Sequence, residues 1–443
     1  MAALRVALVN QFNRVRRSGF ARNVAIVATG TVGAQAITMA FAPFITRLYG
    51  PEVFGTLGAF TAVVAVIAPL AAFSYPIAIV LPRQDQDALG IVRLSAYLSF
   101  AMAVLVALGL WTGGDWLVAL LGIESIAAFI VLIPAAILFR AWLQITLHWL
   151  VRKKQFKLTA KLAVLNSLLL NLAKTGIGWY HPVAAVLILV TLAGTVLHAM
   201  MLVFGARRRF AAEPVVEGTP PARRLSLKSL ARQHYDFPLY RTPEIVINAA
   251  SQSLPILMLT AFFGPASAGF YALGRSVVGL PSLLVGNSVG TVFYPRIAEA
   301  ARNGENLSSL IIKATVGLAT VGVLPYAIII AFGPFLFGLV FGSEWVMAGE
   351  YARWLAVWLF FLFLNSPAVK AIPVLELQRF HLVFSCYTIT TRVAVLYVGY
   401  FLFDSDVVAI ALFGIAGMIN NIILILIVIY FSGRYVGPTR AGS

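Results

Sequence analysis

The sequence predicts an all-α integral membrane protein, with twelve transmembrane helices in two parallel-repeat six-helix bundles enclosing a central cavity. Three observations predict it: the composition, a series of long apolar stretches, and a phrase that occurs twice. Of the 443 residues, 60% are hydrophobic and 11% charged, and mean hydropathy is +0.91. A water-soluble globule carries about 25% charged residues. Lipid must therefore be the solvent for most of this surface.

Taken from the N-terminus, residues 1–21 hold no apolar run ahead of their arginines and do not read as a cleavable signal. Leu4, Leu8, Phe12 and Val15 recur at helical spacing, with Arg5, Arg14, Arg16 and Arg17 elsewhere on the wheel. Two readings stand for this segment: an amphipathic helix on an anionic cytoplasmic leaflet, or a disordered basic tail. A spanning helix needs roughly 20 mostly apolar residues. Twelve stretches qualify, at roughly 23–46, 54–81, 90–112, 125–149, 158–178, 182–204, 237–262, 267–294, 309–332, 346–369, 381–403 and 407–431. Pro69, Pro134, Pro243 and Pro281 fall inside several of them. Spanning helices tolerate proline where neighbours satisfy the freed backbone groups.

Loop charge orients the chain. One set of connections carries Arg152, Lys153, Lys154 and Lys157, then Arg207, Arg208, Arg209, Arg223, Arg224, Lys228 and Arg232, then Arg296 and Arg302. The opposite loops are short and hold Glu52, Asp115, Glu124, Glu344, Asp404 and Asp406. Basic loops stay in the cytoplasm, so both termini are expected there. The expected organisation is a cytoplasmic amphipathic N-terminal segment (1–21), an N-terminal six-helix bundle (22–204), a basic cytoplasmic linker (205–236), a C-terminal six-helix bundle (237–431) and a cytoplasmic tail (432–443).

The net charge of +17 fits basic cytoplasmic loops better than a nucleic-acid surface, because the chain is so apolar. The single cysteine, Cys386, makes no internal disulfide. Five scattered histidines give no metal-ligand spacing, so neither metal nor cofactor is expected. No phosphate-binding GxxxxGK[ST] loop is present, which argues against a built-in ATPase.

"YGPEVFGTLGAFTAVVAV" (49–66) is echoed by "FGPASAGFYALGRSVVGL" (263–280). Gly50, Pro51 and Gly55 match Gly264, Pro265 and Gly269 at a constant offset of 214. Pro82-Arg83 and Pro295-Arg296 close the second span of each half, and "LLGIES" (120–125) pairs with "VFGSEW" (340–345). "RKKQF" (152–156) and "ELQRF" (376–380) follow those spans in turn. Six spans per half give both halves one orientation, a parallel repeat, with a cleft between like bundles where a transporter's substrate sits.

These phrases, with the Asn/Thr/Gln-rich opening span, resemble the bacterial polysaccharide-export flippases. Those are the Wzx-type members of the multidrug/oligosaccharidyl-lipid/polysaccharide (MOP) transporter superfamily. "LYGPEVFGTLGAF", its echo "FFGPASAGFYALGRSVV" and "RKKQF" carry the resemblance, which spans nearly the whole chain. It implies a flippase that moves a polyprenyl-diphosphate-linked oligosaccharide from the cytoplasmic to the periplasmic leaflet of the inner membrane, for O-antigen, capsule or exopolysaccharide. It also implies a polysaccharide polymerase and a chain-length regulator as partners, beside the membrane lipids, and no nucleic acid.

Charges at membrane depth cost about 2.5–3.5 kcal/mol on insertion scales, which makes them functional candidates. In the seventh span Arg241, Glu244, Asn248, Ser251 and Gln252 share one helix face. Thr31, Gln35 and Thr38 form a milder stripe in the first span, and Ser167, Asn171 and Lys174 another in the fifth. Arginine grips phosphate with a bidentate fork. Arg275 and Arg241 are therefore the leading headgroup candidates, followed by Arg140 and Lys174, then Arg353. Asn248, Gln252 and Gln35 suit sugar hydroxyls, and Glu244 is the candidate ion-coupling carboxylate.

Plainer readings stand beside these. Arg241 lies near a span end and can snorkel to the interface. Arg241–Glu244 and Glu350–Arg353 can each be a self-neutralising intrahelical pair. Lys174 lies near the external end, where water reaches it. Lys370 and Arg392 carry no assignment. Two rivals remain for the function: an ion-coupled multidrug antiporter of the same superfamily, which should hold carboxylates in its cleft, and a membrane glycan polymerase or ligase, which should carry a large external loop.

Overall fold

A computed structural model describes residues 19–210 and 225–435, and these are helical with no strand. The amphipathic segment expected at the N-terminus, the middle of the basic linker and the end of the tail lie outside the described residues. In order the helices are α1 (Gly19–Leu48), α2 (Pro51–Ala71), α3 (Tyr75–Ala78), α4 (Asp85–Leu121), α5 (Ile133–Arg152), α6 (Phe156–Gly178), α7 (Ala184–Phe210), α8 (Leu227–Gln233), α9 (Thr242–Phe263), α10 (Pro265–Val278), α11 (Leu280–Arg302), α12 (Leu307–Phe341), α13 (Val346–Leu364), α14 (Ser366–Ala371), α15 (Gln378–Phe403) and α16 (Asp406–Gly433). A 3₁₀ stretch, Glu124–Leu132, leads into α5, and one π turn, Phe237–Arg241, leads into α9. Ten helical segments among the described residues are long and apolar enough to cross a membrane. α1 and the α10–α11 pair occupy the first and eighth expected spans.

Helix is the form a spanning chain takes because it satisfies every backbone group within the segment. The departures from it are local. The second expected span is not continuous: α2 ends at Ala71, and Phe73 (φ 46°) and Ser74 (φ 55°) turn the chain through the left-handed region before α3. The eighth is divided at Gly279 by Pro281, and the tenth at Asn365 by Pro367. Each proline removes a backbone donor and disfavours helical geometry in the residue before it. α4 and α12 overrun their expected bounds, with 37 and 35 residues. At 1.5 Å per residue each exceeds about 50 Å, well beyond a hydrocarbon core of about 30 Å.

Contacts divide the chain into two compact units. The first holds the chain up to Tyr49 together with Phe60–Ser253; the second holds Gly50–Ala59 and Leu254–Ser443. One boundary falls between α1 and α2, one inside α2 and one inside α9 next to Pro255.

In the first unit α1 lies against α6. A Cβ on Gly30 would overlap Ala160, so the two backbones are nearly in contact there. One turn further on, a polar knot forms. Ser167 Oγ donates to the Ala34 carbonyl (2.8 Å) and lies 3.1 Å from Thr38 Oγ1, and Asn171 Nδ2 donates to the Ser167 carbonyl (2.7 Å). Interhelical hydrogen bonds in membranes average about 0.6 kcal/mol each, so the knot fixes register more than it adds stability. Around α3, Tyr75, Ile79, Ile91, Ile145 and Leu230 form a buried apolar cluster. Arg152 closes that end. Its Nη1 donates to the carbonyls of Ile79 (3.2 Å) and Pro82 (2.6 Å), and its Nε to Asp85 (2.9 Å), which also pairs with Lys153.

In the second unit α12 and α13 meet at Gly333 and Gly349, where a Cβ on either would strike the other's backbone. α16 lies on α13 through Gly414 against Trp354 and Gly417 against Trp358. Asn365 Nδ2 donates to Asn421 Oδ1 (2.8 Å) in the buried layer between them. Cys386 on α15 is exposed.

Candidate functional site

The first unit contains a cavity of about 330 Å³. Its walls are α2, α3, α5 and α9. α2 contributes Ala65 and Ala68, and the turn after it Ala72, whose small side chains leave the space open. α9 contributes Ile245 and Ala249. The polar lining comes mostly from α5, as Arg140, Gln144 and His148. These stand four residues apart and therefore line up on one helix face, over about 12 Å of axis. Arg140 and Gln144 are exposed and His148 half-buried. Arg140 is paired with no carboxylate among the described residues, and no carboxylate lines the cavity. The chamber thus offers one permanent cation, an amide and an imidazole against apolar walls. That inventory suits an anionic group carrying many acceptor oxygens.

Arg140 is the one headgroup candidate from the sequence that lines this cavity. Gln144 and His148 are not among those candidates, although their i+4 and i+8 spacing from Arg140 is visible in the sequence. Arg241, the last residue of the π turn, and the α9 candidates form an adjoining stripe. At about 100° per residue, Arg241, Asn248 and Gln252 lie within about 60° of Ile245. Arg241 Nη1 holds both oxygens of Glu244 (2.8 and 2.7 Å), and both side chains are exposed. Gln252 Nε2 donates to Asn248 Oδ1 (2.8 Å). Gln35 is half-buried on α1. Lys174 is half-buried on α6, and its backbone carbonyl accepts the hydroxyl of Tyr49 (3.0 Å).

Arg275 and Arg353 belong to the second unit. Arg275 Nη1 donates to Tyr271 Oη (2.9 Å), and its guanidinium carbon lies 5.6 Å from the ring centre of Trp358. Arg353 is occupied within its own helix pair. Its Nε donates to the Ile330 carbonyl (2.9 Å), its Nη2 to Ala331 (3.2 Å) and its Nη1 to Glu350 (2.9 Å). Neither Arg275 nor Arg353 lines the cavity of the first unit. Among the described residues no cluster of His, Cys, Asp and Glu could hold a metal ion.

Long apolar helices around a chamber lined with hydrogen-bond donors are the framework of a multi-pass membrane protein. Residues 44–350 match the family model described as polysaccharide biosynthesis protein, and the chain belongs to that family. It is 23% identical over 340 residues to the succinoglycan biosynthesis transport protein ExoT of Rhizobium meliloti (strain 1021), a match over 72% of this chain and 61% of that protein. The chain thus spans less than two thirds of this relative's length. Several solved structures share the fold, two of them as follows. One is a multidrug resistance MATE family transporter of the MOP superfamily in an inward-facing conformation (TM-score 0.67, 15% identity, 92% of this chain and 96% of that one). The other is the lipid II flippase MurJ in an inward closed conformation (TM-score 0.68, 11% identity, 91% and 87%). The family is that of the polysaccharide biosynthesis proteins, and the fold is the one these solved structures share.

Proposed function

We propose that this protein is a flippase for a polyprenyl-diphosphate-linked oligosaccharide, moving it from the cytoplasmic to the periplasmic leaflet of a bacterial inner membrane by alternating access. Both termini are cytoplasmic in this reading, and two parallel six-helix repeats form the moving parts. A polysaccharide polymerase and a chain-length regulator receive the product. The observation that carries the proposal is the cavity lined by Arg140, Gln144 and His148 without a carboxylate. Arginine binds phosphate oxygens in pairs, and the amide and imidazole complete a donor face for a sugar diphosphate. The relative's role in succinoglycan transport and the likeness to a lipid II flippase support the same cargo class. Outward movement of a negative headgroup runs with an inside-negative potential, by about 2.3 kcal/mol per charge per 100 mV. Ion coupling through Glu244 requires its release from Arg241.

The fold likeness to a multidrug transporter keeps drug antiport as the rival reading. A cation carrier needs acidic groups facing its cargo, and this cavity has none among its lining residues. The test is translocation of a fluorescent polyprenyl-diphosphate oligosaccharide in proteoliposomes. Arg140→Glu should abolish it and Arg140→Lys should retain part of it. Full translocation by Arg140→Glu, or efflux of cationic drugs with no movement of the glycolipid, overturns the reading.

A further inference from the structure

A second cavity, of about 490 Å³, lies in the second unit at the ends of α11, α14 and α15. Small-ligand sites span about 300–1,000 Å³. Its polar lining is Tyr294 of α11, Lys370 of α14, and Gln378 and His381 of α15. Ile372 and Pro373, in the turn after α14, supply much of the apolar part. Tyr294, Lys370, Pro373 and Gln378 are exposed, so the cavity opens to the surface, and His381 is half-buried.

The mouth is fixed by its own backbone. The N–H groups of Leu375 and Leu377 donate to the carbonyls of Ala371 (3.0 Å) and Ile372 (3.1 Å), and Glu376 turns through φ 57° between them. Ala368, Ala371 and Ile372 are buried beneath this turn. Lys370 and His381 therefore stand on packed elements. Lys370 is in no ion pair among the described residues, and no carboxylate lines the cavity. Gln378 Nε2 reaches the Pro373 carbonyl only at 3.4 Å, and its other amide hydrogen remains to donate. The site thus holds one positive charge and three neutral donors.

Hydrocarbon begins beside it. Leu382 and Val383, the next residues of α15, are 67% and 70% exposed, in a helix long and apolar enough to cross a membrane. The cavity therefore lies where lipid phosphates lie. Its turn falls on the side of Arg296 and Arg302, which is cytoplasmic in the orientation proposed above. Basic pockets between spanning helices on that side take acidic lipid headgroups.

We propose that this cavity holds the phosphodiester headgroup of an anionic membrane phospholipid, which ties α11, α14 and α15 together at this end. One ammonium balances the single negative charge of a phosphodiester, and Tyr294, Gln378 and His381 meet its oxygens and headgroup hydroxyls. The acyl chains run past Leu382 and Val383. The site is separate from the cavity of α5 and does not rest on the cargo proposed for it.

The test is native mass spectrometry of the full-length protein in neutral detergent, titrated with phosphatidylglycerol or with phosphatidylcholine of the same chains. Phosphatidylglycerol should bind more tightly. Lys370→Gln should weaken it about fivefold, the size of one interfacial lysine contact. Lys370→Arg should retain binding, and Tyr294→Phe should weaken it less than Lys370→Gln. Lys313→Gln, which removes an exposed charge of α12 outside the cavity, should leave it unchanged. Bound phosphatidylglycerol should raise the melting temperature of the wild type more than that of Lys370→Gln. Equal affinity for the two lipids, or equal losses in Lys370→Gln and Lys313→Gln, overturns the site. Displacement by equimolar glycerophosphoglycerol, which lacks acyl chains, would make the ligand a soluble phosphodiester and overturn its assignment to lipid.

Discussion

Gly55 and Gly269 meet reciprocally. A Cβ on Gly55 would overlap the carbonyl of Pro265, and a Cβ on Gly269 would overlap the carbonyl of Pro51. Each glycine therefore receives the proline that opens the other's helix, and each would press on the other's backbone nitrogen. Self-complementary contact of this kind arises when one motif faces its own copy. It gives the doubled phrase a physical purpose: two helix starts cross at backbone distance, which only residues without a Cβ permit.

Substitution at this crossing should be costly from either side. Gly55→Ala and Gly269→Ala should each destabilise by at least about 1–3 kcal/mol, the range for overpacking, and more because the obstacle is backbone. The double variant should cost less than the sum, since one substitution already separates the helices. Thermal unfolding of the purified variants decides this. Additive losses would mean that the two glycines act independently.

Arg353 and Pro334 should be coupled in the same manner. A proline frees the carbonyl four residues back, here that of Ile330, and Arg353 Nε occupies it. Arg353→Met should cost about 1–3 kcal/mol, the penalty of an unsatisfied backbone acceptor. In a Pro334→Ala background the cost should shrink, because the restored amide reclaims Ile330. A thermal-melt double-mutant cycle measures the coupling. Equal losses in both backgrounds would return Arg353 to the list of headgroup candidates.

Filling the α5 cavity should separate folding from transport. Ala68→Phe places a ring in open space, so the usual overpacking cost of about 1–3 kcal/mol should largely be avoided. The melting temperature should stay close to wild-type while glycolipid movement in proteoliposomes stops. Normal transport by a folded Ala68→Phe protein would exclude this chamber from the path.

The contacts of Arg152 should rank unequally. Asp85 is half exposed and contributes an ion pair, a class worth about 0–1 kcal/mol at surfaces. The carbonyls of Ile79 and Pro82 have Arg152 as a donor near the left-handed turn. Asp85→Asn should therefore be mild and Arg152→Met about 1–3 kcal/mol destabilising. A larger loss for Asp85→Asn in the same melting assay would reverse the ranking.

Much of the helical plan is legible in the sequence, because a long apolar run has only one stable form in lipid. The breaks are less so. A hydropathy window passes over Phe73–Ser74, Gly279 and Asn365, since a short turn hardly changes an average. Pairs within one helix, such as Arg241 with Glu244, follow from spacing alone. Contacts between helices do not: Ser167 with Thr38, or Arg392 with Trp358, are 129 and 34 residues apart and meet only through packing. The α5 face lies between these cases. Arg140 stands out by its charge, and Gln144 and His148 carry the same register without it.

The lone thiol gives this chain a natural reporter. Cys386 is exposed and sits six residues before Arg392 on α15, about 9 Å along the axis. A maleimide dye or nitroxide label goes to that single address without any need to strip other cysteines. Movement of α15 can then be followed spectroscopically in the otherwise unaltered protein.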